Sequence, residues 1–365
     1  MRSQLPFPTL RVPEAPDAFF EQTATTVGGT WHLRDTFGRV ARDLRVSLTD
    51  RCNLRCTYCM PAEGLEWIPR EDTLTDDEVI RLITLAVTTL GIRQVRFTGG
   101  EPLLRRSLEE IIAAISGLTT DTGAPVATAL TTNGLGLDKR ATGLKAAGLN
   151  RINISLDTLN PTQYAELTRR DRHHDVLAGI QAAQAAGLEP IKINAVIMPG
   201  VNGDTIVPLA QYCLENGLQL RFIEQMPLGP KGKWTRDAMV TAKDIIGILA
   251  SEFSMSPSTA PRGSAPAELW RVRWNGHDGH IGVIAAVTHP FCGDCDRTRL
   301  TTDGAIRSCL FSHEETSLRD IMRAGATDAE LAMHWVHTMW RKKAGHGIND
   351  PRFVQPSRLM SAIGG

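Results

Sequence analysis

Residues 52–59 read Cys-Asn-Leu-Arg-Cys-Thr-Tyr-Cys, which puts three thiols, Cys52, Cys56 and Cys59, into one short stretch. Thiolates are soft ligands suited to iron–sulfur clusters and to zinc. Four cysteines close a four-iron cube as an electron carrier, whereas three leave one iron open to a ligand that is not protein. The same residues also admit a zinc site completed by a distant His, or plain clustered core cysteines. A second group, Cys292, Cys295 and Cys309, has the spacing C-x2-C-x13-C and again stops at three. Its alternative is a structural zinc finger completed by His289 or His313.

Elements that could position these thiols recur along the middle of the chain. A helical stretch ends in Gly and runs at once into a β-rich segment: LGIRQVRFTGG, AGLNRINISLD, AGLEPIKINAV and NGLQLRFIEQM. Gly91, Gly148, Gly187 and Gly217 each supply the left-handed residue that ends a helix. The stretches before them, such as DDEVIRLITLAVTTL, carry apolar residues at three- and four-residue steps. With LRVSL near residue 45 and VATALTT near residue 128, six strands alternate with helices, which predicts a parallel α/β sheet or barrel. Residues at the strand C-termini then line the site, and the first cysteine group follows the first strand onto that rim.

After residue 230 the rhythm changes. A polar stretch, SMSPSTAPRGSAPAE, precedes strand-like LWRVRW and HIGVIAAV, and two helical segments follow at TSLRDIMRAG and TDAELAMHWVHTMWRKK. The division expected is a mobile leader at 1–30, a sheet-forming region at 31–230 and a smaller C-terminal region at 231–365. His334 and His337 read as solvated or packed helix residues.

Lys plus Arg number 40 and Asp plus Glu number 40, so overall charge points to neither nucleic acid nor an anionic membrane. No apolar run is long enough to span a bilayer, and residues 1–30 lack the basic-then-apolar layout of a secretory signal, which makes the expected location cytoplasmic. Six of the seven cysteines fall in the two groups, unlike a dispersed disulfide scaffold. Cys213, among helix-spaced apolar residues, reads as a small core residue.

C-x3-C-x2-C with an aromatic residue before the last Cys resembles the signature of radical S-adenosylmethionine (SAM) enzymes. The resemblance implies an open, partial (βα)6 TIM-like barrel, with a smaller C-terminal region carrying a second cluster. In that family SAM occupies the open iron and yields a 5′-deoxyadenosyl radical. LRVSLTDRCNLRCTYCMP, RFTGGEPLLR, LTTNG, NISLDTLN, IKINAV, RFIEQMPLG, FCGDCDRTRLTTDG and the terminal Gly364-Gly365 resemble, in order, the GTP 3′,8-cyclase family (molybdenum cofactor biosynthesis protein A).

That resemblance implies two [4Fe-4S] clusters, on Cys52, Cys56 and Cys59 and on Cys292, Cys295 and Cys309. It implies SAM contacts from Tyr58, Gly100 in the Gly-Gly-Glu-Pro element, Ser155 and Met226. GTP brings roughly four negative charges, which a low-dielectric site answers with fixed cations. The implied GTP contacts are Arg45, Arg96, Thr131, Lys192, Arg297, Thr298 and Arg299; Arg221 could brace either ligand. Residues two apart on an extended segment point the same way, which aims Arg297 and Arg299 at one anion. These two arginines and Gly364-Gly365 are the implied catalytic residues.

The implied reaction is abstraction of the C3′ hydrogen of GTP and bonding of C3′ to C8, giving 3′,8-cyclo-7,8-dihydro-GTP. Implied partners are a flavodoxin-like or ferredoxin-like electron donor and the downstream cyclic pyranopterin monophosphate synthase, with the chain a monomer or homodimer. The alternatives are a peptide-modifying radical SAM enzyme with an auxiliary cluster and a non-catalytic zinc-binding scaffold. Deleting Gly364-Gly365 is expected to cut formation of the cyclised product far more than it lowers the melting temperature; product formation at the full-length rate would remove the double glycine from the site.

Overall fold

The computed structural model describes residues 31–230, 232, 234–358 and 360–363, so the leader and Gly364-Gly365 lie outside the described residues. Six strands follow one another in parallel register: β1 (Asp43–Ser47), β2 (Gln94–Thr98), β3 (Ala127–Thr132), β4 (Arg151–Ser155), β5 (Ile191–Ile197) and β6 (Gln219–Glu224). Helices Asp76–Thr88, Leu108–Ser116, Leu137–Ala146, His173–Ala185 and Ile206–Glu215 form the connections, with Pro161–Thr168 preceding the fourth. The glycines read from the sequence as helix terminators have φ of 72° (Gly91), 101° (Gly148), 69° (Gly187) and 66° (Gly217), a region L side chains rarely adopt.

One face of the sheet is mostly apolar. Leu44 and Val46, Val95 and Phe97, Leu130, Ile152 and Ile154, Ile193, and Leu220 and Phe222 are buried against the helices. A parallel sheet with both faces in a core reads as near-continuous apolar runs. These strands instead alternate, with Arg45, Arg96, Thr131, Asn153, Lys192 and Arg221 on the other face. That second face is built for something polar.

The segment after residue 230 extends the same sheet at both edges. β9 (His277–Ile284) pairs in parallel with β6, and β10 (Arg297–Leu300) pairs in parallel with β1. β8 (Glu268–Trp274) and β7 (Ser254–Pro257) add antiparallel beyond β9, as do β11 (Ala305–Arg307) and β12 (Thr316–Ser317) beyond β10. The order β12-β11-β10-β1-β2-β3-β4-β5-β6-β9-β8-β7 is linear, so among the described residues the sheet is open. Among them, too, no helix is long and apolar enough to cross a membrane.

Glu224, the last residue of β6, ties the two parts together. Its fully buried carboxylate accepts from the amides of Ala242 at 2.7 Å, Val287 at 2.8 Å and Thr288 at 2.9 Å, and from the Thr288 hydroxyl. One side chain thus holds the N-terminus of helix Ala242–Glu252 and the turn after β9. Glu224→Ala would leave these donors buried without an acceptor, and should lower stability to urea by ~3 kcal/mol or more, with a matching fall in the unfolding midpoint.

Candidate active site

The polar face of the sheet carries its charge in register. Arg299 on β10 pairs with Arg45 on β1, which pairs with Arg96 on β2. Neighbouring strands lie about 4.8 Å apart, and like charges directly opposite destabilise a sheet. Asp43 pairs with two of the cations at the edge of ion-pair range, its Oδ2 lying 3.9 Å from Arg45 Nη2 and 4.0 Å from Arg297 Nε. Further along, Asn153 pairs with Lys192 and Asn194 with Arg221.

These side chains surround a cavity of about 690 Å³ that is also lined by Thr131, Met226, Cys292, Cys295 and Cys309. Burial, and then the charge of neighbouring arginines, pushes the Arg96 guanidinium down to about 9 and Arg221 to about 10. The same causes lower Arg45 and Arg299 and bring Lys192 down to about 7. Arg45 Nε, Arg96 Nε and Nη1, Arg221 Nε and Arg297 Nε are buried without a hydrogen-bond partner among the described residues. Orphaned, charge-crowded donors around a cavity are a site preorganised for a polyanion.

The cavity brings together every GTP candidate named from the sequence except Thr298. Thr298 alternates to the opposite face of β10, where its buried hydroxyl accepts from Trp335 Nε1 at 3.0 Å, so its side chain docks helix Asp328–Trp340 and does not reach the cavity. Arg151, Asn153 and Asn194 line the cavity and were not named. The period of two that puts Arg297 and Arg299 on one side of their strand could have found them. Arg262, whose guanidinium lies 6.0 Å from the Phe291 ring that also carries Arg297 at 4.6 Å, comes from the polar stretch that offered no signal.

Cys292 lies in a single helical turn, Cys295 just before β10 and Cys309 just after β11. No histidine completes the set. His313 Nε2 bonds the Val354 carbonyl at 3.0 Å and His289 is exposed in a turn. His346, beside Cys292, bonds the Ala286 carbonyl through Nε2 and accepts the Ile348 amide at Nδ1. Among the described residues no three His, Cys, Asp or Glu converge on the position of one ion. Burial acts to raise the Cys295 thiol, but the charges of Lys342 and Arg297 outweigh it and lower it.

Cys52, Cys56 and Cys59 occupy the loop after β1. Burial pushes Cys52 up to about 11 and Cys59 to about 12, and raises Cys56 well above the usual thiol range. Keeping three such sulfurs ionised needs a metal centre's charge. The Gly99-Gly100-Glu101-Pro102 turn presses on this loop: a Cβ at Gly100 would lie 2.3 Å from the Arg51 carbonyl oxygen. Glu101, raised to about 7 by burial, accepts from Leu103 and Asn133 amides and the Thr132 hydroxyl, while Asn133 Nδ2 donates to Asn53 Oδ1 at 2.7 Å.

Tyr58 donates to Asp157 Oδ2 at 2.9 Å, two residues beyond Ser155 at the end of β4. Met226 lines both the cationic cavity and a smaller one of about 200 Å³ next to Tyr58. Met360 also lines the large cavity, which brings the chain just before Gly364-Gly365 alongside it.

The Radical SAM superfamily model matches residues 46–213, and the Molybdenum Cofactor Synthesis C model matches 218–348. The chain is 66% identical over 336 residues to GTP 3',8-cyclase of Corynebacterium glutamicum, covering 91% of this chain and 89% of that one. It is 59% identical over 335 residues to GTP 3',8-cyclase of Mycolicibacterium smegmatis, covering 91% and 92%. The chain belongs to the GTP 3′,8-cyclase family.

Among solved structures, Streptococcus suis SuiB bound to S-adenosylmethionine is similar with a TM-score of 0.54 at 14% identity, over 88% of this chain and 75% of that one, a likeness of fold. The radical SAM α/β fold expected from the sequence is therefore the one observed. GTP 3′,8-cyclase family membership brings a [4Fe-4S] cluster and SAM as cofactors, and the Molybdenum Cofactor Synthesis C region fits a second cluster. Two three-cysteine sets, neither closed by a histidine among the described residues, suit that chemistry.

A Lys whose pKa is lowered to about 7 in the ligand-free site regains its proton when an anion arrives. Binding of inorganic tripolyphosphate at pH 8 should therefore take up protons, seen as a dependence of calorimetric heat on buffer ionisation enthalpy. The uptake should shrink at pH 6, where Lys192 is already charged, and its Lys192 share should vanish in Lys192→Met.

Proposed function

We propose that this chain converts GTP to 3′,8-cyclo-7,8-dihydro-GTP in the cytoplasm, as a step of molybdenum cofactor biosynthesis. The observation that carries the reading is the in-register row Arg299, Arg45 and Arg96, which faces the same cavity as Cys292, Cys295 and Cys309. Cys52, Cys56 and Cys59 hold one [4Fe-4S] cluster, with SAM beside Tyr58, Gly100, Ser155 and Met226. Cys292, Cys295 and Cys309 hold the other. When bound, these cofactors supply a 5′-deoxyadenosyl radical to take the C3′ hydrogen of GTP and an uncommitted iron to anchor the guanine edge.

The protein's own work is placement. Arg45, Arg96, Lys192 and Arg221 neutralise and orient the triphosphate from the sheet, Thr131 braces the nucleotide, and Arg297 and Arg299 reach it from β10. Once the triphosphate is seated, ribose and base are held in one orientation, which converts a hydrogen transfer between separate molecules into one between neighbours. Gly364-Gly365 follow directly on the segment that lines the cavity at Met360. A flavodoxin-like or ferredoxin-like protein supplies electrons, cyclic pyranopterin monophosphate synthase consumes the product, and the chain acts as a monomer or homodimer.

Anaerobic incubation of reconstituted protein with SAM, dithionite and each nucleoside triphosphate in turn tests this. 5′-Deoxyadenosine and a cyclised product are expected with GTP; turnover with another triphosphate and none with GTP would refute the assignment. Arg96→Gln and Arg299→Gln should each lower kcat/KM for GTP roughly 10- to 100-fold, the loss of a charge-assisted bond of ~1.5–3 kcal/mol.

A further inference from the structure

Lys342 belongs to none of the sets described so far, yet its ammonium is directed at one of the cysteine sulfurs. It follows helix Asp328–Trp340, is 3% exposed, and its amide donates to the Met339 carbonyl at 3.0 Å. Its Nζ lies 2.8 Å from the Arg297 carbonyl oxygen, 3.1 Å from the Cys295 carbonyl oxygen and 3.4 Å from Cys295 Sγ. All three are acceptors. An ammonium carries three N–H donors, which matches these three acceptors in number. None of the three partners is a carboxylate, and the charge is left facing the sulfur.

We propose that Lys342 is a positioning residue for the second cluster, setting its reduction potential through Cys295. The proposal rests on the reading that Cys292, Cys295 and Cys309 hold a cluster. An electron added to an iron–sulfur cube spreads negative charge onto its thiolates, and a buried cation donating N–H···S stabilises that reduced form. The potential is thereby raised. At the first site the sulfur contacts are neutral: Cys52 Sγ accepts from the Leu54 amide at 3.4 Å and faces Asn133 Nδ2 at 3.9 Å. The cation there, Arg55, spends its Nη1 on the carbonyls of Cys52 and Leu54.

The test is an anaerobic redox titration of the full-length, reconstituted protein, with dithionite as reductant and each cluster followed by electron paramagnetic resonance. Lys342→Gln should lower the second cluster's midpoint by a tenfold change in the reduced-to-oxidised ratio, 59 mV for one electron, and leave the first cluster unmoved. Lys342→Arg should restore most of the shift. Trp335→Phe, which loosens the same helix without touching the charge, should lower the melting temperature and leave the midpoint in place. An unchanged midpoint in Lys342→Gln with iron content intact overturns the proposal. Should that variant fail to load iron, wild-type protein labelled with 15N-lysine decides: pulsed resonance of the reduced second cluster shows a 15N coupling, and its absence overturns the contact. Wild-type protein with iron for only one cluster would sink the ligand assignment itself.

Discussion

Three guanidinium groups abreast on adjacent strands repel one another, and the Asp43 carboxylate reaches the row only at Arg45, 3.9 Å away. Such a row survives only because the strands beneath it are fixed by other means. The apolar face of β1 to β6 is packed against helices, and Glu224 fastens the sheet to the turn after β9. On the other side, Trp335 and Lys342 latch helix Asp328–Trp340 onto β10 through Thr298 and Arg297. The repulsion is balanced by the core and is relieved when a polyanion enters.

The two cysteine sets sit in contrasting electrostatic surroundings. Around Cys56 and Cys59 the nearby ionisable group is the Asp157 carboxyl, raised to about 6 by burial and bonded to Tyr58. Around Cys295 the neighbours are Lys342 and Arg297. One site is buried and acid-flanked, the other cation-flanked.

Much of this was legible in the residues. Glycine-terminated helices running into β-rich segments predicted β2, β4, β5 and β6, because a left-handed residue at a helix end is a local requirement. Arg45, Arg96 and Lys192 were named through the family resemblance, and the structure adds the physical reason: strand alternation puts them opposite the apolar positions. The same rule, applied one residue further, turns Thr298 away from its neighbours Arg297 and Arg299, and extends the polar face to Arg151, Asn153 and Asn194. Arg297–Arg299 read as extended, but the pairing of β10 with β1 was not legible, nor were β11 and β12: the three strands are two to four residues long, and their partners are decided by tertiary contact. Arg262 and Lys342 were invisible for a similar reason, since each reaches the site across a fold that no local pattern encodes.

β1 is an interior strand only because β10 lies against it. A chain ending before residue 297 would keep all six alternating strands and their helices, yet present a row of unpaired amides and carbonyls along Asp43–Ser47. Bare edges of that kind recruit strands from other molecules. The same four residues of β10 therefore cover that edge and supply Arg299 to the arginine row, so shielding β1 and charging the cavity are one act of pairing.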